Sequence, residues 1–289
     1  MRSDVLLEIL RALLFGTIQG ITEWLPISST GHMLLLDRFI KLESAQDREF
    51  FDLFLVVIQL ASVLAVAIVF RKKLFPTFAF YIKKSNAVPM SYDRKSTFVL
   101  WQKILIGVVP LGIVGLAFDD IVEKYLHGPL VIAGALIVYG IAFIAIEKSR
   151  ALSDKVSSLD DLTKGKAFGI GLFQTLALIP GTSRSGSTII GARLLSVSRE
   201  AAAEFSFFLA IPVMFGASAL KVLKYVMSGA SPLTLTEYLV LAFGCLSSFA
   251  VSLVTVKYLT GYVKRHSFIP FGIYRILLGI VIILYFVFK

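Results

Sequence analysis

The sequence is short of charged residues and of the residues that build disulfides and metal clusters. Of 289 residues only 17% are charged, three are histidine and one, Cys245, is cysteine, whereas soluble domains carry about 25% charged residues. A single cysteine excludes an internal disulfide, and the sequence holds no Cys/His cluster with metal-binding spacing. The shortage of charge argues against a water-soluble domain.

Apolar residues are abundant, and basic residues are unevenly placed among them. Hydrophobic residues make up 57% of the chain, and the mean hydropathy is +0.83. A net charge of +10 would suggest a nucleic-acid partner in a soluble protein. Here lysine and arginine gather in loops that flank apolar runs, as membrane topology requires. The composition therefore predicts an all-α polytopic protein whose partner is the lipid bilayer, with no nucleic acid.

Eight apolar regions follow one another along the chain, and two of them are broken by polar residues. A membrane-spanning helix needs about 20 mostly apolar residues. Six segments meet this length: 51–70, 98–118, 129–147, 204–224, 236–257 and 268–288. Regions 5–42 and 167–197 are interrupted at 26–31 and 180–186, and each half is too short to span. Because exposed backbone is not tolerated in lipid, we expect two re-entrant helix hairpins.

The two broken regions match each other at an offset of 155 residues. The identities include Gly16 with Gly171, Gln19 with Gln174, Ser28 with Ser183, Gly31 with Gly186, and Glu49-Phe50 with Glu204-Phe205. This agreement predicts an internal repeat inside one membrane domain, 1–289, with repeat one at about 1–150 and repeat two at about 165–289. Each copy holds one hairpin and three spans, so the second copy is inverted. Inverted repeats with broken helices place their site at the interface of the copies.

Loop charges give the expected orientation in the membrane. Loop 71–97 carries seven lysines and arginines, loop 148–166 five and loop 257–267 three, whereas loop 119–128 carries one and loop 225–235 none. The positive-inside rule places the basic loops in the cytoplasm. Both termini then lie outside, and the hairpins enter from opposite faces, so that their tips can meet.

The first break combines a carboxylate with hydroxyl donors. Gln19 and Glu23 are four residues apart and share a helix face. The hydroxyls of Ser28–Thr30, the turn allowed by Gly31 and the free N–H groups of a following helix together suit an anion. A capped helix start explains the hydroxyls equally well. The carboxylate of Glu23 favours function, because carboxylates inside membranes are costly.

The second break, from Ser183 through Arg184 and Ser185 to Gly186, adds a cation. Arginine binds phosphate with two parallel hydrogen bonds and stays charged when buried. An arginine that extends to the membrane interface is the structural alternative. With hydroxyls and glycine on both sides, the pattern favours a phosphate site.

A phosphate close to Glu23 requires something to offset the repulsion between the two anions. A divalent cation, Mg²⁺ or Ca²⁺, binds carboxylate and phosphate oxygens together, and Glu23 and Gln19 are its candidate ligands. The competing role for Glu23 is general base. His32 is a candidate acid, base or nucleophile.

Two stretches make the sequence recognisable: Gln19–His32, which reads QGITEWLPISSTGH, and Pro180–Gly186, which reads PGTSRSG. They closely resemble the two signatures of bacterial undecaprenyl-diphosphate phosphatases, also called bacitracin-resistance proteins. Stretches 204–212 and 267–275 also look like this family, and the resemblance covers nearly the whole chain. It departs at Gln19, where many members carry a glutamate. A neutral amide can ligate a cation but cannot act as a base.

The resemblance implies hydrolysis of a long-chain isoprenoid diphosphate, undecaprenyl diphosphate, to the monophosphate and phosphate. This reaction recycles the lipid carrier for peptidoglycan and other wall polymers, at a site on the extracytoplasmic face of the bacterial plasma membrane. By position, the functional residues of the family fall on Glu23, Ser29, His32 and Arg184. Ser28, Thr30, Gly31, Ser183, Ser185 and Gly186 surround them as expected substrate contacts.

The residues leave the nucleophile open between Ser29, His32 and water. Arg275, within the last apolar segment, is expected to pair with an acid such as Glu204 or to contact the substrate. A transporter or flippase of a polyprenyl phosphate lipid is the rival function, because inverted repeats with broken helices are typical of transporters.

Overall fold

The computed structural model describes residues 2–43, 48–76, 94–126, 128–149, 154–228 and 232–288, with the backbone alone at 2–4, 48 and 119–124. Ten helices of eleven or more residues make up most of this described chain: α1 Arg2–Thr22, α2 Ser29–Phe39, α3 Arg48–Val69, α4 Arg94–Leu126, α5 Pro129–Lys148, α6 Lys164–Thr175, α7 Arg184–Leu194, α8 Arg199–Met227, α9 Leu235–Tyr262 and α10 Ile269–Val287. Within these ranges the β-type pairing is a single parallel bridge between Val156 and Val197. The predicted all-α class is confirmed over the described residues.

Seven of these helices are long and apolar enough to cross a membrane: α1, α3, α4, α5, α8, α9 and α10. The last six correspond to the six predicted segments. Helix α1 was expected to be too short, and that expectation was wrong. It continues through Gln19 to Thr22. The Thr22 hydroxyl donates back to the Ile18 carbonyl oxygen at 2.7 Å and so remains compatible with the helix. The chain is therefore a multi-pass helical membrane protein.

One predicted loop is helical, and another lies mostly outside the described residues. Residues 119–126, expected in the loop 119–128, belong to the end of α4. Most of the basic loop 71–97 lies outside the described residues, as do residues 127, 150–153 and 229–231. The charges at those positions stay a sequence-based argument.

Long apolar helices pack in pairs that bring the two broken regions into the centre. Helix α1 lies along α9, α6 lies along α4, and α5 lies along α10. At two crossings the backbones touch: a Cβ atom added to Gly16 would lie 2.3 Å from the Gly244 carbonyl oxygen, and one added to Gly171 would lie 2.3 Å from that of Gly107. Small residues allow such close approach in membrane helices. These contacts fix the helices that end at the two breaks.

The two breaks have matching backbone geometry. Helices α2 and α7 contain eleven residues each and begin after Ser28 and Ser183, whose φ angles are 71° and 70°. The two serine hydroxyls accept the N–H groups of Gly31 and Gly186 at 3.4 and 3.2 Å. A positive φ at a residue other than glycine is strained and occurs preferentially at functional sites.

The largest buried core surrounds α8, whose Phe205, Phe207 and Phe208 are fully enclosed. By contrast, large side chains such as Ile113, Leu116 and Val254 are more than half exposed on the outer faces of α4 and α9. Extensive apolar exposure of this kind is stable in lipid and not in water.

Candidate active site

Glu23 lies at the centre of the polar cluster formed by the two breaks. It follows the last residue of α1, its N–H donates to the Gln19 carbonyl oxygen, and it is 5% exposed. Its Oε2 atom accepts from Gln19 Nε2 at 2.9 Å, Ser29 Oγ at 3.1 Å and Gln59 Nε2 at 3.3 Å. Its Oε1 atom pairs with Arg184 Nη2 at 3.3 Å. Four donors around one carboxyl group suit the carboxylate, which only accepts hydrogen bonds.

Arg184 is the first residue of α7 and is held from three sides. Besides Glu23, it donates through Nη1 to the Ser206 carbonyl oxygen at 2.7 Å and to Ser206 Oγ at 3.2 Å. Its guanidinium carbon lies 5.7 Å from the centre of the Trp24 ring, within the range of a cation–π contact. Thr188 donates to Ser206 Oγ at 2.7 Å and so orients that hydroxyl. The guanidinium is therefore fixed before any anion binds.

Ser29 opens α2, and its hydroxyl points at Glu23. A hydroxyl within hydrogen-bond reach of a carboxylate has the geometry of a nucleophile beside a general base. The neighbouring Thr30 side chain is exposed at the first turn of the same helix. Of the candidates around Ser29, Glu23 is thus the base that the structure brings into contact.

The other predicted substrate contacts serve partly as helix caps. Ser28 and Ser183 cap α2 and α7 through their hydroxyls. Ser183 Oγ also lies 3.1 Å from Ser185 Oγ, which contacts the Leu25 carbonyl oxygen at 3.5 Å. The capping alternative therefore describes both breaks as the structure has them. Contact with substrate stays a prediction for this group, which also includes Thr30, Gly31 and Gly186.

His32 is turned toward α10 and not toward Ser29. Its Nδ1 atom lies 2.7 Å from the Ser28 carbonyl oxygen, and its Nε2 atom lies 2.7 Å from the Tyr274 hydroxyl. The two rings are parallel to within 5°. Because a carbonyl oxygen only accepts, Nδ1 carries the proton in the neutral ring and Nε2 accepts from Tyr274. A catalytic role for His32 stays a prediction.

Sequence reasoning missed Gln59 and Ser206, which contact the two charged residues of the site. Gln59 is one of two polar residues in the apolar run 53–70, and a polar side chain inside a span is a functional signal. Ser206 lies within the stretch 204–212, and its partner could not be read from the sequence because α7 and α8 meet only in the folded chain.

Arg275 does not pair with Glu204, so that expectation was wrong. Glu204 binds Lys73 Nζ at 2.8 Å instead. The Arg275 side chain is fully buried and donates to backbone carbonyl oxygens of both breaks, at Pro26, Gly181 and Thr182. Its hydrogen-bond partners therefore belong to the two polar breaks and not to a carboxylate.

The donor set can hold a hard cation, although it offers only one carboxylate. Among the described residues there is no group of three or more His, Cys, Asp or Glu that could bind a metal. Around Glu23 Oε2, however, Gln19, Gln59 and Ser29 each carry an oxygen as well as the donor that now faces it. Rotation of an amide or a hydroxyl would present that oxygen. Mg²⁺ is commonly held by one or two carboxylates plus substrate phosphates, so the residues fit.

Known proteins are similar to the chain over nearly its full length. The family described as Bacitracin resistance protein BacA matches residues 12–281. Undecaprenyl-diphosphatase 1 of Clostridioides difficile (strain 630) is 50% identical over 286 residues, which cover 99% of each chain. Undecaprenyl-diphosphatase of Enterococcus faecalis is 49% identical, covering 96% of this chain and 97% of its own, and that of Lactococcus lactis subsp. cremoris (strain SK11) is 47% identical, covering 98% and 99%. The chain therefore belongs to the bacitracin resistance protein BacA family.

Proposed function

We propose that the chain is a membrane phosphatase that hydrolyses undecaprenyl diphosphate to undecaprenyl phosphate and inorganic phosphate. This recycles the lipid carrier for peptidoglycan and other wall polymers and confers resistance to bacitracin. The observation that carries the proposal is the cluster of Ser29, Glu23 and Arg184, which unites a nucleophile, a base and a phosphate-binding cation. Relatives about half identical over the full chain, named undecaprenyl-diphosphatase, support the substrate.

In the proposed reaction, Ser29 Oγ attacks the terminal phosphorus while Glu23 accepts its proton. A bond forms between Oγ and phosphorus, and the bond from phosphorus to the bridging oxygen breaks, so that undecaprenyl phosphate leaves. Glu23 passes this proton to the leaving undecaprenyl phosphate and is a carboxylate again. Water then attacks the phosphoserine and gives a proton to Glu23, and Glu23 returns it to Ser29 Oγ as the bond between phosphorus and Oγ breaks and inorganic phosphate leaves. The 3.1 Å contact between Ser29 and Glu23 supports this assignment over His32.

Arg184 binds the terminal phosphate in this scheme. In the absence of substrate it pairs with Glu23 through one nitrogen, and a phosphate with more negative charge competes for the guanidinium. Phosphoryl transfer depends mainly on positioning and on neutralising charge spread over the phosphate oxygens. Trp24 and Ser206 keep the guanidinium in place while its anionic partner changes.

We further propose a divalent cation, Mg²⁺ or Ca²⁺, held by Glu23 and Gln19 with oxygen atoms of Gln59 and Ser29 in reach. When bound, the cation supplies charge neutralisation between the carboxylate and the diphosphate. Gln19 contributes a carbonyl oxygen to the cation, and its neutral amide does not act as a base.

The architecture we propose is six spans plus two re-entrant hairpins in an inverted repeat, within the bacterial plasma membrane and with the site toward the extracytoplasmic face. Support comes from the equal lengths and matching caps of α2 and α7 and from the equivalent crossings of Gly16 and Gly171. In the first hairpin α1 is a long arm and α2 a short one. The loop charges support the orientation.

Phosphate release by purified protein tests the function and separates it from transport. In detergent micelles with undecaprenyl diphosphate, the chain is expected to release inorganic phosphate, since hydrolysis needs no second compartment. Arg184→Lys is expected to lose most of this activity, because lysine keeps the charge but not the planar fork. Arg193→Lys is the matched control: Arg193 is a buried arginine at the other end of α7 that pairs with Asp154. If the intact protein released no phosphate, that result would favour the rival function, a transporter or flippase of a polyprenyl phosphate lipid.

A further inference from the structure

Arg275 connects the two breaks through their backbones. Its Nη1 atom donates to the Pro26 carbonyl oxygen at 3.1 Å, and its Nη2 atom donates to those of Gly181 and Thr182, both at 2.9 Å. Pro26 and Gly181 are 155 residues apart along the chain. One planar fork therefore binds two segments that lie far apart in the sequence.

The charge of Arg275 is not matched by a carboxylate in the described part of the chain. None of the ion pairs found among those residues includes it, and its buried Nε atom has no hydrogen-bond partner. The ring centre of Tyr139 lies 5.4 Å from the guanidinium carbon. A buried, unpaired cation is costly and marks function more often than stability. If this position served only hydrophobic packing, an apolar residue would suffice in place of Arg275.

The carbonyl groups that Arg275 binds lie two or three residues before the reacting residues. Pro26 is three residues before Ser29, and Thr182 is two before Arg184. Ser29 and Arg184 each begin a short helix, so the position of the preceding segment sets the position of the side chain. The distance between Ser29 and Arg184 thus depends on the distance that the Arg275 guanidinium bridges. Lysine ends in a single ammonium nitrogen and does not reproduce this fork.

We propose that Arg275 is a positioning residue that sets the distance between Ser29 and Arg184 by holding the two breaks together. The proposal rests on the proposed function for its catalytic consequence, while the distance that it fixes is independent of substrate. Arg275 acts through backbone carbonyl groups and does not contact the phosphate.

The kinetic test is Arg275→Lys together with Arg275→Gln, which removes the charge and so avoids a stranded ammonium. Misplacement of reacting groups by about 1 Å costs on the order of 100-fold in rate. We expect kcat for phosphate release to fall about 100-fold in both variants, while KM changes far less, because Arg184 remains to bind the phosphate. Arg193→Lys is expected to keep both constants. A rise in KM with unchanged kcat would overturn the positioning role.

The structural test measures the distance between the breaks directly. Spin labels at Ile21 and Leu176, which are 39% and 41% exposed, report on the two sides in a Cys245→Ser background by double electron–electron resonance. We expect one narrow distance distribution in the otherwise unaltered protein and a broader one in Arg275→Lys. Lost activity with an unchanged distribution would indicate direct contact with substrate and would overturn the proposal.

The two measurements distinguish failure of the positioning role of Arg275 from failure of the proposed function. If the intact protein releases no phosphate, the proposed function fails and the distance measurement still decides on Arg275. If neither variant folds, the distance distribution in the protein that retains Arg275 decides. A broad distribution overturns the positioning role of Arg275, and a narrow one upholds it.

Discussion

At the scale of single residues, one carboxylate organises the site. Glu23 receives donors from α1, α2, α3 and α7, so four elements meet on two oxygen atoms. Such a carboxylate can accept a proton from Ser29 or share a cation with a phosphate. Replacement of Ser29 and removal of divalent cations separate the two roles.

Replacement of Ser29 tests covalent catalysis. If Ser29 only donated a hydrogen bond, Ser29→Ala would cost about 1.5–3 kcal/mol, or about 10- to 150-fold in rate. As the nucleophile, its loss is expected to cost far more and to abolish a phosphoserine that acid quenching traps from labelled substrate. Thr30→Ala removes the exposed hydroxyl next to it and is expected to stay within the smaller range. No trapped phosphoenzyme in the intact protein would leave water as the attacking group.

Removal of divalent cations tests the second role. Excess chelator is expected to stop phosphate release, and Mg²⁺ or Ca²⁺ is expected to restore it, because a carboxylate and a diphosphate repel each other. In Gln19→Glu a second carboxylate is available, so half-maximal activity is expected at a lower cation concentration. Undiminished activity in chelator would remove the cation and leave Glu23 as the base alone.

At the scale of elements, backbone contact between helices sets where the breaks lie. Helix α6 ends at Thr175, and its Gly171 lies directly against the Gly107 carbonyl oxygen of α4. The corresponding crossing, of α1 on α9, holds the other break. The site therefore depends on helix crossings that contain none of its own residues.

A side chain at such a crossing is expected to destabilise the protein. Gly171→Ala would place a Cβ atom 2.3 Å from a carbonyl oxygen, and overpacking of this kind costs about 1–3 kcal/mol. The temperature of thermal unfolding in detergent is therefore expected to fall. Gly112→Ala in α4, where an added Cβ meets nothing within 4 Å, is the control and is expected to be neutral or slightly stabilising. Equal stability of the two variants would contradict the close crossing.

The sequence predicted the helices better than their partners. Hydropathy located six spans because a span needs only local composition, and the two polar breaks located Glu23, Ser29 and Arg184. The length of α1 was missed because its polar residues continue the helix. The contact of His32 with Tyr274, 242 residues away, and the carbonyl partners of Arg275 depend on tertiary packing, which no local pattern encodes.

At the scale of the whole molecule, orientation in the membrane decides which side the site serves. The basic loops predict cytoplasmic ends for α3, α5 and α9. Lys41, which follows α2, would then lie outside, and Lys264, which follows α9, would lie inside. Both side chains are exposed.

Labelling of intact cells tests this orientation. In a Cys245→Ser background, Lys41→Cys is expected to react with a membrane-impermeant maleimide, and Lys264→Cys is expected to react only after the cells are opened. Reaction in the reverse order would overturn the argument from loop charge and place the site on the cytoplasmic face.

The pairing of Glu23 with Arg184 also has a consequence for biosynthesis. The two residues are 161 positions apart, and ribosomes add about 5–20 residues per second. Glu23 is therefore synthesised about 8 to 32 seconds before Arg184, the cation with which it pairs. During that interval its neighbours in sequence are the partners at hand: Gln19 and Ser29 belong to the same hairpin and leave the ribosome within a few residues of it. The local hydrogen bonds of the first break thus serve the nascent chain before they serve the finished protein.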